Sequence, residues 1–161
     1  LTHGHYDHFG GTADAAIDSG AEIFISGNDS HMLSSRMDSL ADFISNESFK
    51  PITEYKEISE GSEIILDELK FKVIETPGHT KGSVCYLCND YIFTGDTLFA
   101  LSMGRTDFPG GNPSEMHKSL LRLAEIKEDL NVCPGHNETT TLSFEKRNNP
   151  YLKENPYEDL I

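Results

Sequence analysis

Basic residues are scarce in this chain of 161: 13 Lys and Arg stand against 27 Asp and Glu, a formal charge of −14. That balance argues against a nucleic-acid partner, whose phosphate backbone needs clustered cations, and against a basic helix on a membrane surface. Cysteine is scarce too. Cys85, Cys88 and Cys133 are an odd set of three, not a disulfide framework, so a reducing, cytoplasmic setting is the expectation. No run approaches the roughly 20 apolar residues of a membrane helix. No basic-then-apolar leader opens the chain, which begins at Leu1 with its densest motif at residue 2. We read that start as the edge of a fragment or a misplaced start. What is present is a globular composition, 37% apolar and 25% charged, of a length that suits one domain.

Along the chain, residues 2–11 are a polar loop rich in His and Gly. Residues 12–19 read as a short helix with Ala13, Ala16 and Ile17 on one face, stopped by Gly20. Residues 21–26 alternate and are rich in β-branched residues, which predicts a strand. A turn at 27–30 leads into a weak helix holding Met32, Leu33 and Met37, and 38–60 reads as an irregular linker. Strands are predicted at 64–66, 71–74, 84–88 and 91–94, the last two joined by a tight Asn89-Asp90 turn. Residues 95–112 form a Gly-rich loop, a length that marks function or disorder. A helix follows, with Asn112 as N-cap, Pro113 at its first position and Glu115 completing a capping box. Its apolar face is Met116, Leu120, Leu123 and Ala124. A last strand spans 131–133. Cys85 and Cys88, three apart on a strand, face opposite sides and read as small core residues, not ligands. His31 and His117 lie outside every motif.

The chemistry concentrates in His3-Gly4-His5-Tyr6-Asp7-His8. Three imidazoles and a carboxylate within six residues are the ligand set of zinc, iron or manganese. Three more ligand types follow predicted strands, each directly after a Gly: His79 in Pro77-Gly78-His79, Asp96 in Thr94-Gly95-Asp96, and His136 in Pro134-Gly135-His136. Any one alone is an ordinary polar loop residue. Together they supply five His and two Asp, enough for two metals with open positions, the mark of catalytic rather than structural sites.

In order and rough spacing these four motifs resemble the metallo-β-lactamase fold superfamily. The resemblance implies an α/β fold, the four-layer αβ/βα sandwich, here a single domain over 1–161 lacking the first N-terminal strands. It implies one metal held by His3, His5 and His79, a second by Asp7, His8 and His136, and Asp96 bridging both. The metals would be two divalent ions, Zn2+ first, with Fe or Mn as alternatives. Gly104-Arg105-Thr106-Asp107-Phe108 and Asn149-Pro150-Tyr151-Leu152 are most similar to compact glyoxalase II-type enzymes, which hydrolyse the thioester of hydroxyacylglutathione.

Hydrolysis fits the residues. Two metals can lower the pKa of a water they hold from about 15.7 toward ~7, which would supply a hydroxide to attack a carbonyl carbon. Asp7 and Asp96 are the candidate catalytic carboxylates. A thiol with a pKa of about 8.5 departs without a dedicated acid. Tyr6 and Arg105 are the candidate substrate contacts. Each has a competing structural role: packing for Tyr6, pairing with Asp107 or Asp96 for Arg105. One alternative is a persulfide dioxygenase-like enzyme with a single iron on His3, His79 and Asp96. Another is a metal-binding fragment without turnover that associates with further copies through exposed sheet edges. A small-molecule thioester is the expected partner.

Overall fold

The computed structural model describes residues 1–44 and 48–153. Residues 45–47, within the stretch read as an irregular linker, lie outside the described residues. A one-turn helix, α1 (Tyr6–Phe9), is followed by α2 (Thr12–Ser19), β1 (Phe24–Ser26), a 3-10 turn (Ser30–Ser34), α3 (Ala41–Ile44) and β2 (Lys56–Ile58). Four strands come next: β3 (Glu63–Leu66), β4 (Leu69–Glu75), β5 (Val84–Cys88) and β6 (Tyr91–Gly95). The short hairpin β7 (Leu98–Phe99) and β8 (Ser102–Met103) precedes α4 (Pro113–Ala124) and β9 (Asn131–Pro134). The described chain ends with β10 (Thr140–Thr141), α5 (Leu142–Asn148) and a 3-10 turn (Pro150–Leu152). None of these helices is long and apolar enough to cross a membrane.

Local chemistry sets the ends of these elements. Gly20 closes α2 in the left-handed conformation, φ 71°, donating its amide to Ala16. Asn89 takes φ 49° in the two-residue turn between β5 and β6. Asn112 caps α4, its side-chain oxygen accepting from the amides of Ser114 and Glu115. The Glu115 carboxylate does not complete the expected box; it takes the Lys118 ammonium at 2.8 Å instead.

Six strands form one sheet in the order β10-β9-β6-β5-β4-β3, and β1 and β2 pair in parallel as a second, two-stranded sheet. Alternation along β5 assigns the two faces of the large sheet. Cys85 points into a core with Ile92, Met116, Leu120, Leu123 and Leu142, so α4 and α5 cover that face. Val84 and Tyr86 point the other way, onto Val73, Ile58 and Phe24, so the β1–β2 pair covers the opposite one. Ile25 faces outward again, packing with Tyr6, Phe9, Leu33 and Ala41 under α1 and α3. The layers therefore run helix, sheet, sheet, helix. The fold is mixed α/β, as the expected sandwich requires.

Three expectations are corrected. The 2–11 loop contains α1, which puts Asp7 and His8 on a helical turn. The 38–60 stretch contains α3 and β2, whose parallel pairing with β1 (Phe24 opposite Lys56) is too distant in sequence for local patterning to reveal. The 95–112 loop contains the β7–β8 hairpin, whose two-residue strands show no period.

Candidate metal centre

Strand direction gathers the dispersed ligands. Both β4 and β6 pair antiparallel with β5, while β9 pairs parallel with β6. Thus β4, β6 and β9 all end at one edge of the sheet, and His79, Asp96 and His136 follow those ends. Residues 1–3 reach the same edge between the sheets: the Leu1 amine donates to the Phe24 carbonyl, and the Val84 amide donates to the Thr2 carbonyl at 2.8 Å.

All seven sequence-predicted ligand residues meet there, in three overlapping groups of His3, His5 and His79; His3, His8 and Asp96; and Asp7, His8 and His136. The first group is buried, His3 and His79 being 1% and 2% exposed, whereas His136 opens to solvent. His79 Nδ1 donates to the Arg105 carbonyl oxygen at 2.7 Å, which leaves a lone pair on Nε2. That Nε2 stands 2.8 Å from His5 Nδ1. With the proton on His5 Nδ1, the buried His5 Nε2 is a bare lone pair; with it on Nε2, two lone pairs face each other. His3 Nε2, His5 Nε2 and Asp96 Oδ1 are buried without hydrogen-bond partners, a costly arrangement for a protein alone.

A cation held between His5 Nδ1 and His79 Nε2 would relieve their facing lone pairs, and the spacing of the other group suits one as well. Around His8 Nε2 lie His136 Nε2 at 3.1 Å, Asp96 Oδ1 at 3.3 Å and Asp7 Oδ2 at 3.5 Å. Asp7 Oδ2 is 3.2 Å from His136 Nε2. Ligands about 2.0–2.1 Å from a tetrahedral ion are ~3.3–3.4 Å from one another. The electrostatics agree. Burial, with repulsion from neighbouring imidazoles, holds His3 well below its usual pKa and lowers His5 to about 4. Burial also lowers His8, against the pull of Asp96 and Asp7. These imidazoles are therefore neutral near pH 7, the form that binds metal. Burial raises Asp96, opposed by His8, His79 and His136.

Beside the cluster lies a cavity of about 480 Å3, walled by Leu40, Ile44, Phe99, Met103 and Phe108 and carrying Ser102, Asn137 and Arg105 as further polar lining. Arg105 takes the structural partner: Nε and Nη2 donate to both oxygens of Asp107 at 2.7 Å, and its guanidinium lies 3.8 Å from the Phe108 ring centre. Tyr6 does not line the cavity. It is buried, with its ring 5.4 Å from that of Phe9 and 5.6 Å from that of Phe49. Of the two roles open to it, Tyr6 takes the packing one here, because α1 turns the side chain into the core under α3.

Sequence reading missed two supports. Asp29, in an ordinary-looking turn, accepts hydrogen bonds from Gly4, Thr80 and Gly82. Buried Glu145 and Asn149 pin the β7–β8 hairpin: Asn149 Nδ2 donates to the carbonyls of Phe99 and Ser102 and to Glu145 Oε2, which also takes the Leu101 amide. The only available signal was Asn149 beside Pro150 in the tail motif.

Comparison with known proteins agrees with this geometry. The model of the metallo-beta-lactamase superfamily matches residues 1–136. Hydroxyacylglutathione hydrolase GloC of Haemophilus influenzae is 33% identical over 158 residues, 94% of this chain and 74% of the relative. The crystal structure of the BLEG-1 B3 metallo-beta-lactamase aligns with a TM-score of 0.84 at 29% identity, covering 95% of this chain and 75% of that one. ETHE1 from Myxococcus xanthus aligns with a TM-score of 0.72 at 32% identity, covering 92% and 59%.

Proposed function

This chain belongs to the metallo-beta-lactamase superfamily, and from that premise we propose that it is a glyoxalase II-type thioesterase using two divalent metal ions. The fold hosts several chemistries, so the reading rests on the site. One observation carries it: seven ligand side chains converge at one sheet edge, with three of their polar atoms buried and lacking hydrogen-bond partners.

His3, His5 and His79 would hold one ion, Asp7, His8 and His136 the other, and Asp96 would contact both. When bound, such a pair supplies a nucleophile from water at neutral pH and polarises the carbonyl. The chain's own residues do the rest. Asp7, exposed in the cavity lining, would orient such a water and accept its proton. The apolar wall of Leu40, Ile44, Phe99, Met103 and Phe108 receives the substrate and excludes bulk water. Ser102, Asn137 and Arg105 carry no group that titrates near neutrality, which suits a thiol leaving as its anion, since its pKa is about 8.5. The name of the Haemophilus relative supports a thioester, hydroxyacylglutathione among the candidates.

A second reading, a single-iron dioxygenase acting on a persulfide, is supported by the approach of its three expected ligands: His79 Nε2 lies 3.5 Å from Asp96 Oδ2, and His3 groups with each of them. The close approach of Asp7, His8 and His136, a full second group, favours two ions. The test offers the metal-loaded protein a glutathione thioester, a persulfide with oxygen, and a β-lactam. Thiol release from the first, with no oxygen uptake on the second, is expected. Oxygen uptake without thiol release overturns the thioesterase reading.

A further inference from the structure

Asp29 is 1% exposed and contributes no atom to the ligand groups, yet its carboxylate lies between the two loops that carry the buried histidines. Oδ2 accepts the Gly4 amide at 3.1 Å and the Thr80 hydroxyl at 2.6 Å; Oδ1 accepts the Gly82 amide at 2.8 Å. Gly4 is the residue between His3 and His5, and Thr80 directly follows His79. One carboxylate thus joins the loop holding two imidazoles to the loop holding the third.

Its surroundings keep it in place. The Asp29 amide donates to Ser26 at the end of β1, and its carbonyl accepts from Met32. Thr80, donating to Asp29, accepts in turn from the Ser83 hydroxyl at 2.7 Å. Both loops approach too closely for a side chain. A Cβ on Gly4 would lie 2.7 Å from Met32 Cβ, and one on Gly82 would lie 2.6 Å from Asp29 Cγ. A buried carboxylate without partners is costly, whereas one with three donors is a strong, directional tie. Among the described residues, Asp29 makes no hydrogen bond to Asp7, His8, Asp96 or His136.

We propose that Asp29 is the positioning residue of the His3–His5–His79 group, setting the separation of its two loops so that three nitrogens share one ion. The proposal rests on the reading of these histidines as metal ligands. Asp29→Asn offers one oxygen and an NH2 group, so at least one of the three donors meets a donor. Thr80→Val removes a single bond while keeping the shape.

Zn2+ affinities of the full chain are measured by chelator competition, with His136→Ala identifying the constant of the other group and Co2+ absorption reporting ligand geometry. Asp29→Asn is expected to weaken the buried group about 10–100-fold and change the other less than ~threefold, with a smaller selective loss in Thr80→Val. The Co2+ bands of the buried group should shift while the far-ultraviolet dichroism of the stripped chain stays native. Two unchanged affinities in a folded Asp29→Asn protein overturn the proposal alone. So does an equal loss at both groups, or, if Asp29→Asn does not fold, an unaltered Thr80→Val. A wild-type chain that takes up neither Zn2+ nor Co2+ overturns the metal reading beneath it.

Discussion

A Cβ on Gly104 would stand 1.8 Å from the carbonyl oxygen of Asp96. The strand β8 and its following loop lie directly against the backbone of Asp96, the proposed shared ligand, and the next residue, Arg105, supplies the carbonyl that orients His79. Gly104→Ala must therefore displace Asp96, the Arg105 carbonyl or both. Loss of metal affinity by about tenfold or more is expected, read by metal content after dialysis against a weak chelator.

Asn149 tests the cavity wall separately from the metals. Its amide NH2, shared among the carbonyls of Phe99 and Ser102 and the Glu145 carboxylate, ties to α5 the hairpin that carries Phe99, Ser102 and Met103. Asn149→Ala leaves two backbone carbonyls and the Glu145 carboxylate short of a donor, a loss of about 1–3 kcal/mol in stability. A raised KM for the thioester with unchanged metal content is the expected result. Loss of metal in step with KM would mean that the hairpin supports the ligands instead.

The stripped chain should weaken in mild acid. His5 is lowered to about 4, and His3 and His8 are lowered too, whereas in the unfolded chain imidazoles titrate near ~6.5. As pH falls through that window the unfolded state binds more protons, so stability is lost. Asp96, raised by burial, acts in the opposite sense: its contribution is lost as pH rises through its raised value. Three imidazoles outweigh one carboxyl. The melting temperature of the chelator-treated protein should therefore fall between about pH 6.5 and 4.

Arg105 is held by Asp107, whose carboxyl that contact lowers to about 2. The bond orienting His79 comes from the Arg105 main chain, not its side chain. Arg105→Ala should leave metal content intact and move KM in parallel for a glutathione thioester and an uncharged thioester. A rise confined to the anionic substrate would assign the guanidinium to substrate binding.

Much of this centre is legible in the sequence because its chemistry is carried by distinctive residues. Five His and two Asp, four of them in one short segment and the other three each directly after a Gly, leave few other readings. Strand alternation likewise places β3 to β6, and Asn112 with Pro113 places α4. Asp29 stays hidden because Gly27-Asn28-Asp29-Ser30 has the composition of any turn, and its partners at residues 4, 80 and 82 meet it only in the folded chain. The β7–β8 hairpin is too short for a period. Tyr6 shares its segment with the ligands, but on α1 consecutive side chains point about 100° apart, which turns it away from Asp7.

Metal content per chain tests the central claim most directly. The account predicts two equivalents of divalent metal in the active protein, thiol release from a thioester that stops on chelation, and its return when metal is restored. One equivalent of iron, with oxygen uptake on a persulfide and no thiol release, would contradict it.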